Sequence, residues 1–351
     1  MVYNVSMATA SKKLLDSCER FALYLGFAVF LGTFVAVGTT MLLSGSHQIS
    51  LDSLKFISSM ISPIVGISVV ALTYIRKRMV DKSIETRHWL IFMLILGVAF
   101  SYFAGEMSVI IIYTMSRSFR QLTLDPLSTA LLLGTAEGLF AYILSIEIFK
   151  FNLKKLSLFS FFFVLTGFLV TGSYHIDPRW WAGSLCALGM GMGYTGAFYI
   201  YNSTVVITSL LLLLMGFYIS PAFDNLITAK YAKKWQVNVL KGVYLLSIFL
   251  LFLVGLIPFG HGYILSQIHY FAGNFIFVFI GLTMLLLPLL LGGMKKSFYV
   301  FNYGILALAL TFYILYSQIH YFTITFYEIN SIILIVIWAT FLVRNVDLVS
   351  S

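Results

Sequence analysis

Charge is scarce in this chain, and its scarcity excludes a soluble globular fold. Only 10% of the 351 residues are charged, 13 are acidic, and 60% are hydrophobic. So few charged side chains cannot solvate the surface of a globule of this length. Several apolar runs of about 18 residues or more are instead long enough to cross a hydrocarbon core of about 30 Å. The composition therefore predicts an integral membrane protein with several spans.

Cysteine is scarce as well, and the common catalytic motifs are missing. Cys18 and Cys186 are the only cysteines, and they are predicted on opposite membrane faces, which excludes a disulfide between them. The chain contains no CxxC pair, no G-x-S-x-G, no P-loop and no H-E-x-x-H. The sequence therefore predicts no catalytic residue, no metal site and no cofactor. These absences leave open whether the protein is an enzyme.

The apolar runs favour helices, because the strands of a membrane barrel would alternate in polarity over about ten residues. The sequence predicts an all-α, polytopic transmembrane helical bundle of about ten spans with both termini cytoplasmic. The predicted spans are residues 20–44, 54–75, 88–113, 128–149, 156–174, 196–220, 238–258, 267–292, 298–316 and 323–343. A basic segment at 150–157 divides them into a four-span N-terminal part, residues 1–150, and a six-span part, residues 151–351.

The formal net charge of +9 does not indicate a nucleic-acid partner, because the basic residues follow the predicted topology. With a cytoplasmic N-terminus, 18 Lys and Arg residues fall on the inner side and four on the outer side: Lys55, Arg117, Arg120 and Arg179. Positive charge retained on the cytoplasmic side is the rule for short loops, and it attracts anionic lipid. The sequence predicts a multi-pass protein of the cell membrane with membrane lipids as partners. It identifies no protein partner.

The hexamer S-Q-I-H-Y-F occurs twice, at residues 266–271 and 317–322. Each copy follows a predicted span that begins near a cytoplasmic lysine, Lys241 or Lys296, and each leads into a returning span. Aromatic residues are enriched at membrane interfaces. The repeat therefore predicts two equivalent corners at the outer face of one bundle.

The most informative predicted outer segment covers residues 172–193. Asp177 and Pro178 form a helix-start signal, because Asp accepts hydrogen bonds from free backbone N–H groups and Pro suits the first helical position. Trp180 and Trp181 follow, at the level where indole rings anchor among lipid headgroups. Four later glycines permit close helix approach or an irregular start of the next span: Gly189, Gly191, Gly193 and Gly196.

These residues belong to a longer pattern within residues 156–345. The pattern contains D-P-x-W-W at 177–181, Ser184, Leu188–Gly189, Asn202, G-L-I-P at 255–258, His269, Glu328 and Trp338. In order and spacing it resembles an uncharacterised six-helix bacterial membrane family, which is distantly similar to membrane proteins of the Frag/DRAM/Sfk type. The first four spans resemble the N-terminal extension of longer members in hydropathy and position. The resemblance implies a fold and a topology, and it implies no activity.

The sequence departs from that family's pattern at two positions. Cys186 stands where a second serine is common, and Tyr270 stands where Asn often follows the histidine. If the serine and the asparagine belong to a polar site in the family, that site is altered here.

Three glutamates are predicted inside spans: Glu106 in the third, Glu137 in the fourth and Glu328 in the tenth. Each is a candidate functional residue, because an ionisable group costs free energy in hydrocarbon. Glu106 and Glu137 are the candidates for proton-linked intramembrane groups. A protonated Glu that hydrogen-bonds across helices is the structural alternative, and the sequence leaves both interpretations open.

The sequence predicts one outward-facing cavity that holds a ligand. Its predicted residues are His175, Asp177, Trp180, Trp181, Ser184, Asn202, His269, His320 and Glu328. Most of the histidines are predicted near the outer face, but none has the close spacing of a metal site, so hydrogen bonds to loop carbonyls are favoured over metal binding.

Three functions stay open on these grounds. The favoured one is binding of a lipid or small amphiphile in the outward-facing cavity without catalysis. A proton-linked secondary transporter or lipid flippase is the first alternative, although the inverted repeats typical of transporters are not evident. A metal-dependent lipid-modifying membrane enzyme is the second.

Overall fold

Long apolar helices make up most of the chain. The computed structural model describes residues 2–45, 48–80, 86–119, 123–174, 179–190, 195–260 and 262–350. Within these ranges, 10 helices are long and apolar enough to cross a membrane. The predicted all-α, polytopic bundle is therefore confirmed, and the protein is a multi-pass membrane protein. The chain forms two compact units, Met1–Asn152 (unit 1) and Leu153–Ser351 (unit 2).

Unit 1 is built from four long helices and one short strand pair. The helices are α1 (Val2–Leu43), α2 (Leu51–Val80), α3 (Thr86–Ser118) and α4 (Pro126–Phe149), and the strands are β1 (Ile49–Ser50) and β2 (Thr123–Leu124). Helix α4 packs against α1 and α2, and α2 also packs against α3. The strands pair antiparallel, with Ile49 opposite Leu124.

Asp125 caps α4 immediately after the second strand. Its carboxylate accepts the N–H groups of Leu127 and Ser128, each at 3.0 Å, and Pro126 occupies the first helical turn. The Ser128 hydroxyl also donates to this carboxylate and, with the backbone amides, holds the pKa of Asp125 below its usual value. The start of α4 is therefore set by local sequence chemistry.

Helices α1 and α4 approach each other closely at two glycines. A Cβ atom on Gly138 would lie 2.8 Å from the Gly26 carbonyl oxygen and 2.8 Å from the Cβ of Phe30. A Cβ atom on Gly26 would lie 2.9 Å from the Gly138 carbonyl oxygen. Small residues that let two backbones approach are the usual basis of helix association in a membrane, where apolar burial alone supplies little driving force.

Unit 2 contains six long helices and one short helix. The helices are α5 (Leu153–Tyr174), α6 (Leu185–Leu188), α7 (Thr195–Thr228), α8 (Lys234–Leu256), α9 (Tyr263–Leu290), α10 (Lys296–Ser317) and α11 (Ile324–Ser350). A 3₁₀ turn at Trp180–Ala182 precedes α6. Each helix from α7 to α10 packs against the next, α11 packs against both α10 and α7, and α5 packs against α7.

A buried asparagine connects three helices of unit 2. Asn302 of α10 is fully buried, and its Nδ2 donates to the Met284 carbonyl of α9 at 2.8 Å. The Trp338 indole of α11 donates to the Asn302 Oδ1, also at 2.8 Å. Pro288 lies four residues after Met284 within α9 and has no N–H to offer that carbonyl. The side chain of Asn302 therefore replaces a missing backbone donor.

The two copies of the repeated hexamer do not occupy equivalent corners, so that prediction is wrong. The first copy lies inside α9, and its His269 is 2% exposed. The second begins at the last residue of α10 and continues through the following turn, where His320 is exposed and has a φ of 55°. The reason is the position of the turn: Gly260 and Gly262, with φ of 89° and 99°, reverse the chain before the first copy begins.

Candidate functional site

A short segment covers one end of the unit 2 helices and creates the polar environment described below. We call residues 179–190 the α6 segment, because they contain the 3₁₀ turn and α6. Leu185 and Leu188 are buried against Tyr201, Val205 and other apolar residues. The Trp180 ring lies over Gly172, where an added Cβ atom would be 3.0 Å from the indole. Apolar packing therefore holds the α6 segment on the helix ends.

Two side chains of α11 fasten the α6 segment by hydrogen bonds. The Glu328 carboxylate accepts the backbone N–H of Leu185 at 2.6 Å, and the Thr325 hydroxyl donates to the Gly183 carbonyl. The first N–H groups of a helix have no partner within that helix, so Glu328 supplies one for α6. Thr325 is 2% exposed and Glu328 is half-buried. We call the Glu328 carboxylate and the groups around it, from Leu185, Cys186 and Tyr201, the Glu328 site.

The Cys186 thiol lies next to this carboxylate. Burial raises the pKa of Cys186 to about 12, and the negative charge of Glu328 contributes to the rise. The Tyr201 hydroxyl donates to the sulfur at 3.9 Å. At neutral pH the thiol is therefore protonated and is not a nucleophile.

This environment predicts slow alkylation of Cys186. With a pKa of about 12, the thiolate fraction at pH 8 is about 10⁻⁴, roughly a thousandfold below that of an ordinary thiol. In a Cys18→Ser background, we expect N-ethylmaleimide to react with Cys186 about a thousandfold more slowly than with glutathione. The rate should rise about tenfold per pH unit. Glu328→Gln should increase the rate at constant pH, and a rate equal to that of glutathione would contradict the burial.

Asn202 fastens the other end of the α6 segment to α7. Its Nδ2 donates to the Gly189 carbonyl at 3.2 Å and to the Phe198 carbonyl at 2.9 Å. A Cβ atom on Gly189 would lie 2.5 Å from the Tyr201 ring, so a glycine is required there. The ring of Phe168 stacks on Tyr201 with centroids 5.7 Å apart. The predicted residues Trp180, Asn202 and Glu328 thus all contribute to one end of unit 2.

The predicted histidines differ in their surroundings. His269 is buried, and its Nδ1 lies 2.7 Å from the Ile257 carbonyl oxygen, which can only accept a hydrogen bond. The proton therefore lies on Nδ1. The ring also contacts Phe259, with centroids 5.6 Å apart. His320 is instead exposed in the turn before α11.

The remaining predicted cavity residues add little to the geometry. Trp181 is 53% exposed, and Ser184 precedes α6 without a capping hydrogen bond from its side chain. His175 and Asp177 lie outside the described residues. A common cavity for all nine predicted residues therefore stays a prediction.

Four tyrosines lie beside the Glu328 site, and sequence reasoning selected none of them as a ligand-binding residue, although it noted Tyr270 as a departure from the family pattern. We call Tyr270, Tyr313, Tyr316 and Tyr327 the tyrosine cluster. The rings of Tyr316 and Tyr327 are stacked with centroids 5.2 Å apart, and Tyr313 meets Tyr327 edge-on at 6.0 Å. The hydroxyl of Tyr316 lies within electrostatic range of Tyr270, Tyr313 and Glu328. Spacing gives one signal, because residues 313 and 316 share a helix face.

Unit 1 contains a separate polar cluster among its helices. Glu137 of α4 is 4% exposed and accepts the Ser62 hydroxyl of α2. The Ser62 oxygen lies 2.8 Å from that of Ser108 and 3.4 Å from that of Ser58. Glu106 of α3 is also buried, at 5% exposure. Ser58 lies four residues before Ser62 and therefore on the same face of α2. This pair of hydroxyls was a sequence signal for the cluster, and it was missed.

Neither a metal site nor a relative identifies the chemistry. Among the side chains that the structure describes, no group of three or more His, Cys, Asp or Glu residues could hold a metal ion. No protein family, curated protein or solved structure matches this chain. The resemblance to the six-helix family therefore stays a prediction. The proposed function rests on the geometry of the Glu328 site and of the polar cluster in unit 1.

Proposed function

We propose that unit 2 binds a lipid or small amphiphile at the Glu328 site without catalysis. The observation that carries this proposal is a half-buried carboxylate with one oxygen committed to the Leu185 amide at 2.6 Å. Its surroundings are largely aromatic and apolar, including Tyr201 and Tyr327. A carboxylate in such surroundings costs free energy unless a polar or charged partner meets it. A lipid headgroup is a partner that is always present at the end of a membrane helix.

The surface beside the site is suited to an acyl chain. Tyr270, Phe271 and Phe275 of α9 are 58%, 53% and 46% exposed, and Phe326 of α11 is 44% exposed. In a multi-pass protein such exposed apolar surface faces lipid. The protonated thiol of Cys186 supplies no nucleophile next to the carboxylate. These features favour binding over an enzymatic reaction.

The proposal is tested by measuring which lipids stay with the purified protein. Native mass spectrometry on the wild-type protein is expected to show a selectively retained lipid. Glu328→Gln keeps an oxygen that accepts the Leu185 N–H but removes the charge, so it is expected to lower retention about tenfold or more without a loss of folding. Glu19→Gln, which neutralises an exposed glutamate of unit 1, is the matched control. Retention that is unselective, or unchanged in Glu328→Gln, would overturn the proposal.

The polar cluster of unit 1 supports proton-linked lipid movement as a second candidate function. Glu137 has one oxygen bonded to the Ser62 hydroxyl and a second, Oε2, that is buried without a hydrogen-bond partner among the described residues. Such a group inside a membrane span either fixes helix packing or takes up and releases a proton during transport.

Two substitutions of Glu137 distinguish these roles. In proteoliposomes with an imposed pH gradient, a transporter is expected to redistribute a fluorescent lipid between leaflets. Glu137→Gln should abolish this redistribution, because an amide side chain does not take up and release a proton as a carboxyl group does. Glu137→Gln should melt near the wild type, since its oxygen still accepts from Ser62. If Glu137→Gln leaves redistribution unchanged while Glu137→Ala lowers the melting temperature, the residue has a packing role only.

A further inference from the structure

The tyrosine cluster and Glu328 lie at the level of the lipid headgroups. Tyr316 is the next-to-last residue of α10, and Tyr327 and Glu328 lie in the first two turns of α11. Both helices are candidate membrane spans, with bounds at Ser317 and Ile324. Tyrosine is enriched at this level because its ring is apolar and its hydroxyl is polar. A ligand group that meets these side chains is therefore a headgroup rather than an acyl chain.

The groups around the carboxylate share one electrostatic character. The described groups that interact with the Glu328 carboxylate include the Leu185 amide, the Cys186 thiol and the phenols of Tyr201, Tyr316 and Tyr327. None of these five groups is basic, and the raised pKa of the thiol keeps it from becoming a competing anion. When Glu328 is ionised, the site therefore presents a negative charge beside phenol oxygens and aromatic rings. An anionic headgroup would be repelled there, and a cation would be attracted.

The same groups distinguish between two kinds of cationic headgroup. A primary ammonium donates three hydrogen bonds, whereas a trimethylammonium group donates none. The carboxylate and the phenol oxygens are hydrogen-bond acceptors, and the ring faces add a cation–π attraction that either headgroup can use. The stacking of Tyr316 on Tyr327, at 5.2 Å, occupies one face of each ring. Because one face of each ring is covered, the acceptor oxygens contribute more to the site than the ring faces do. The site therefore favours the primary ammonium, which can donate hydrogen bonds.

We propose that the Glu328 site selects lipids whose headgroup carries a primary ammonium. The carboxylate of Glu328 pairs with the ammonium, and the phenol oxygen of Tyr316 accepts another of its protons. The exposed ring of Tyr270, on the neighbouring α9, contributes its π-face at the rim. This inference rests on the proposed amphiphile-binding function, whose site it specifies.

The test compares lipids that share acyl chains and differ only at the nitrogen. Native mass spectrometry is carried out with phosphatidylethanolamine, its N-methyl and N,N-dimethyl derivatives, phosphatidylcholine and phosphatidylglycerol. Retention is expected to fall stepwise with each methyl group, by about tenfold in total, and to be lowest for phosphatidylglycerol. Glycerophosphoethanolamine, which has the headgroup without acyl chains, should bind more weakly than the lipid. Equal binding of that soluble compound would overturn the assignment to a lipid.

Variants of the protein separate this inference from the function on which it rests. Glu328→Gln and Tyr316→Phe are expected to remove the preference for ethanolamine over choline, whereas Tyr199→Phe, an exposed tyrosine near the start of α7, should keep it. Selective retention of phosphatidylcholine or phosphatidylglycerol would overturn the ammonium assignment but leave amphiphile binding intact. Retention of no lipid would overturn both. A melting curve for each variant confirms that a lost preference does not reflect unfolding.

Discussion

Replacing Gly138 with valine is expected to separate α1 from α4 and to lower the stability of unit 1 by about 1–3 kcal/mol. Two atoms would lie 2.8 Å from the new Cβ: the Gly26 carbonyl oxygen and the Phe30 Cβ. One of these belongs to backbone, so a side-chain rotation cannot relieve the clash. The helices must move apart, and the close contacts that hold them together in lipid are then lost.

A glycine on α1 provides the matched control. Gly32→Val introduces the same β-branched side chain where no other atom lies within 4 Å, and valine has a higher helix propensity than glycine, so this substitution should cost little or no stability. The measurement is the apparent melting temperature of the purified protein, followed by fluorescence-detected size exclusion. We expect Gly138→Val to melt several degrees below Gly32→Val. Equal melting temperatures would show that the close approach of α1 and α4 contributes little.

Replacing Asn302 with leucine is expected to destabilise unit 2 by about 2–3 kcal/mol. The substitution removes the donor to the Met284 carbonyl and the acceptor of the Trp338 indole, both at 2.8 Å. It leaves two buried polar groups unpaired among apolar helices, and each such group costs about 1–3 kcal/mol. Asn274→Leu is the control, because the hydrogen bond of that exposed side chain to the described residues stays within its own helix, at the Tyr270 carbonyl.

A second substitution tests the reason for this loss. Pro288→Ala restores an N–H four residues after Met284, which can satisfy the freed carbonyl from within α9. In the Pro288→Ala background, Asn302→Leu is therefore expected to cost about 1 kcal/mol less than in the wild type. Independent, additive effects on the melting temperature would mean that the Asn302 amide does not replace the missing backbone donor.

Much of the fold was predictable, because the membrane imposes a single solution on long apolar runs. The start of α4 is also encoded locally, by Asp125 and Pro126 within one helical turn, although the span was predicted to begin only at residue 128. The prediction from the hexamer repeat was wrong because residues outside the hexamer set the position of the turn. Identical residues at 266–271 and 317–322 lie in a helix and in a turn, since Gly260 and Gly262 reverse the chain before the first copy only.

The candidate site was predictable in its residue types and less so in its contacts. Glu328, Asn202 and Trp180 were selected from sequence, and the structure gives each a place at one end of unit 2. Thr325 was missed, although it lies three residues before Glu328 on the same helix face. Tyr313, Tyr316 and Tyr327 were missed because aromatic residues are so common in this chain, at 17%, that no single one stands out, and Tyr270 was noted only as a departure from the family pattern.

The amino-acid sequence alone established that this protein is an all-helical, multi-pass membrane protein, because backbone groups in hydrocarbon must be satisfied within each helix. It also determined that Glu137 and Glu328 need partners, because a carboxylate in that medium is costly. The groups that serve as those partners became known from the packing of the helices. The Ser62 hydroxyl and the Leu185 amide lie 75 and 143 positions away. Their choice depends on which helices pack side by side, and no local pattern encodes that.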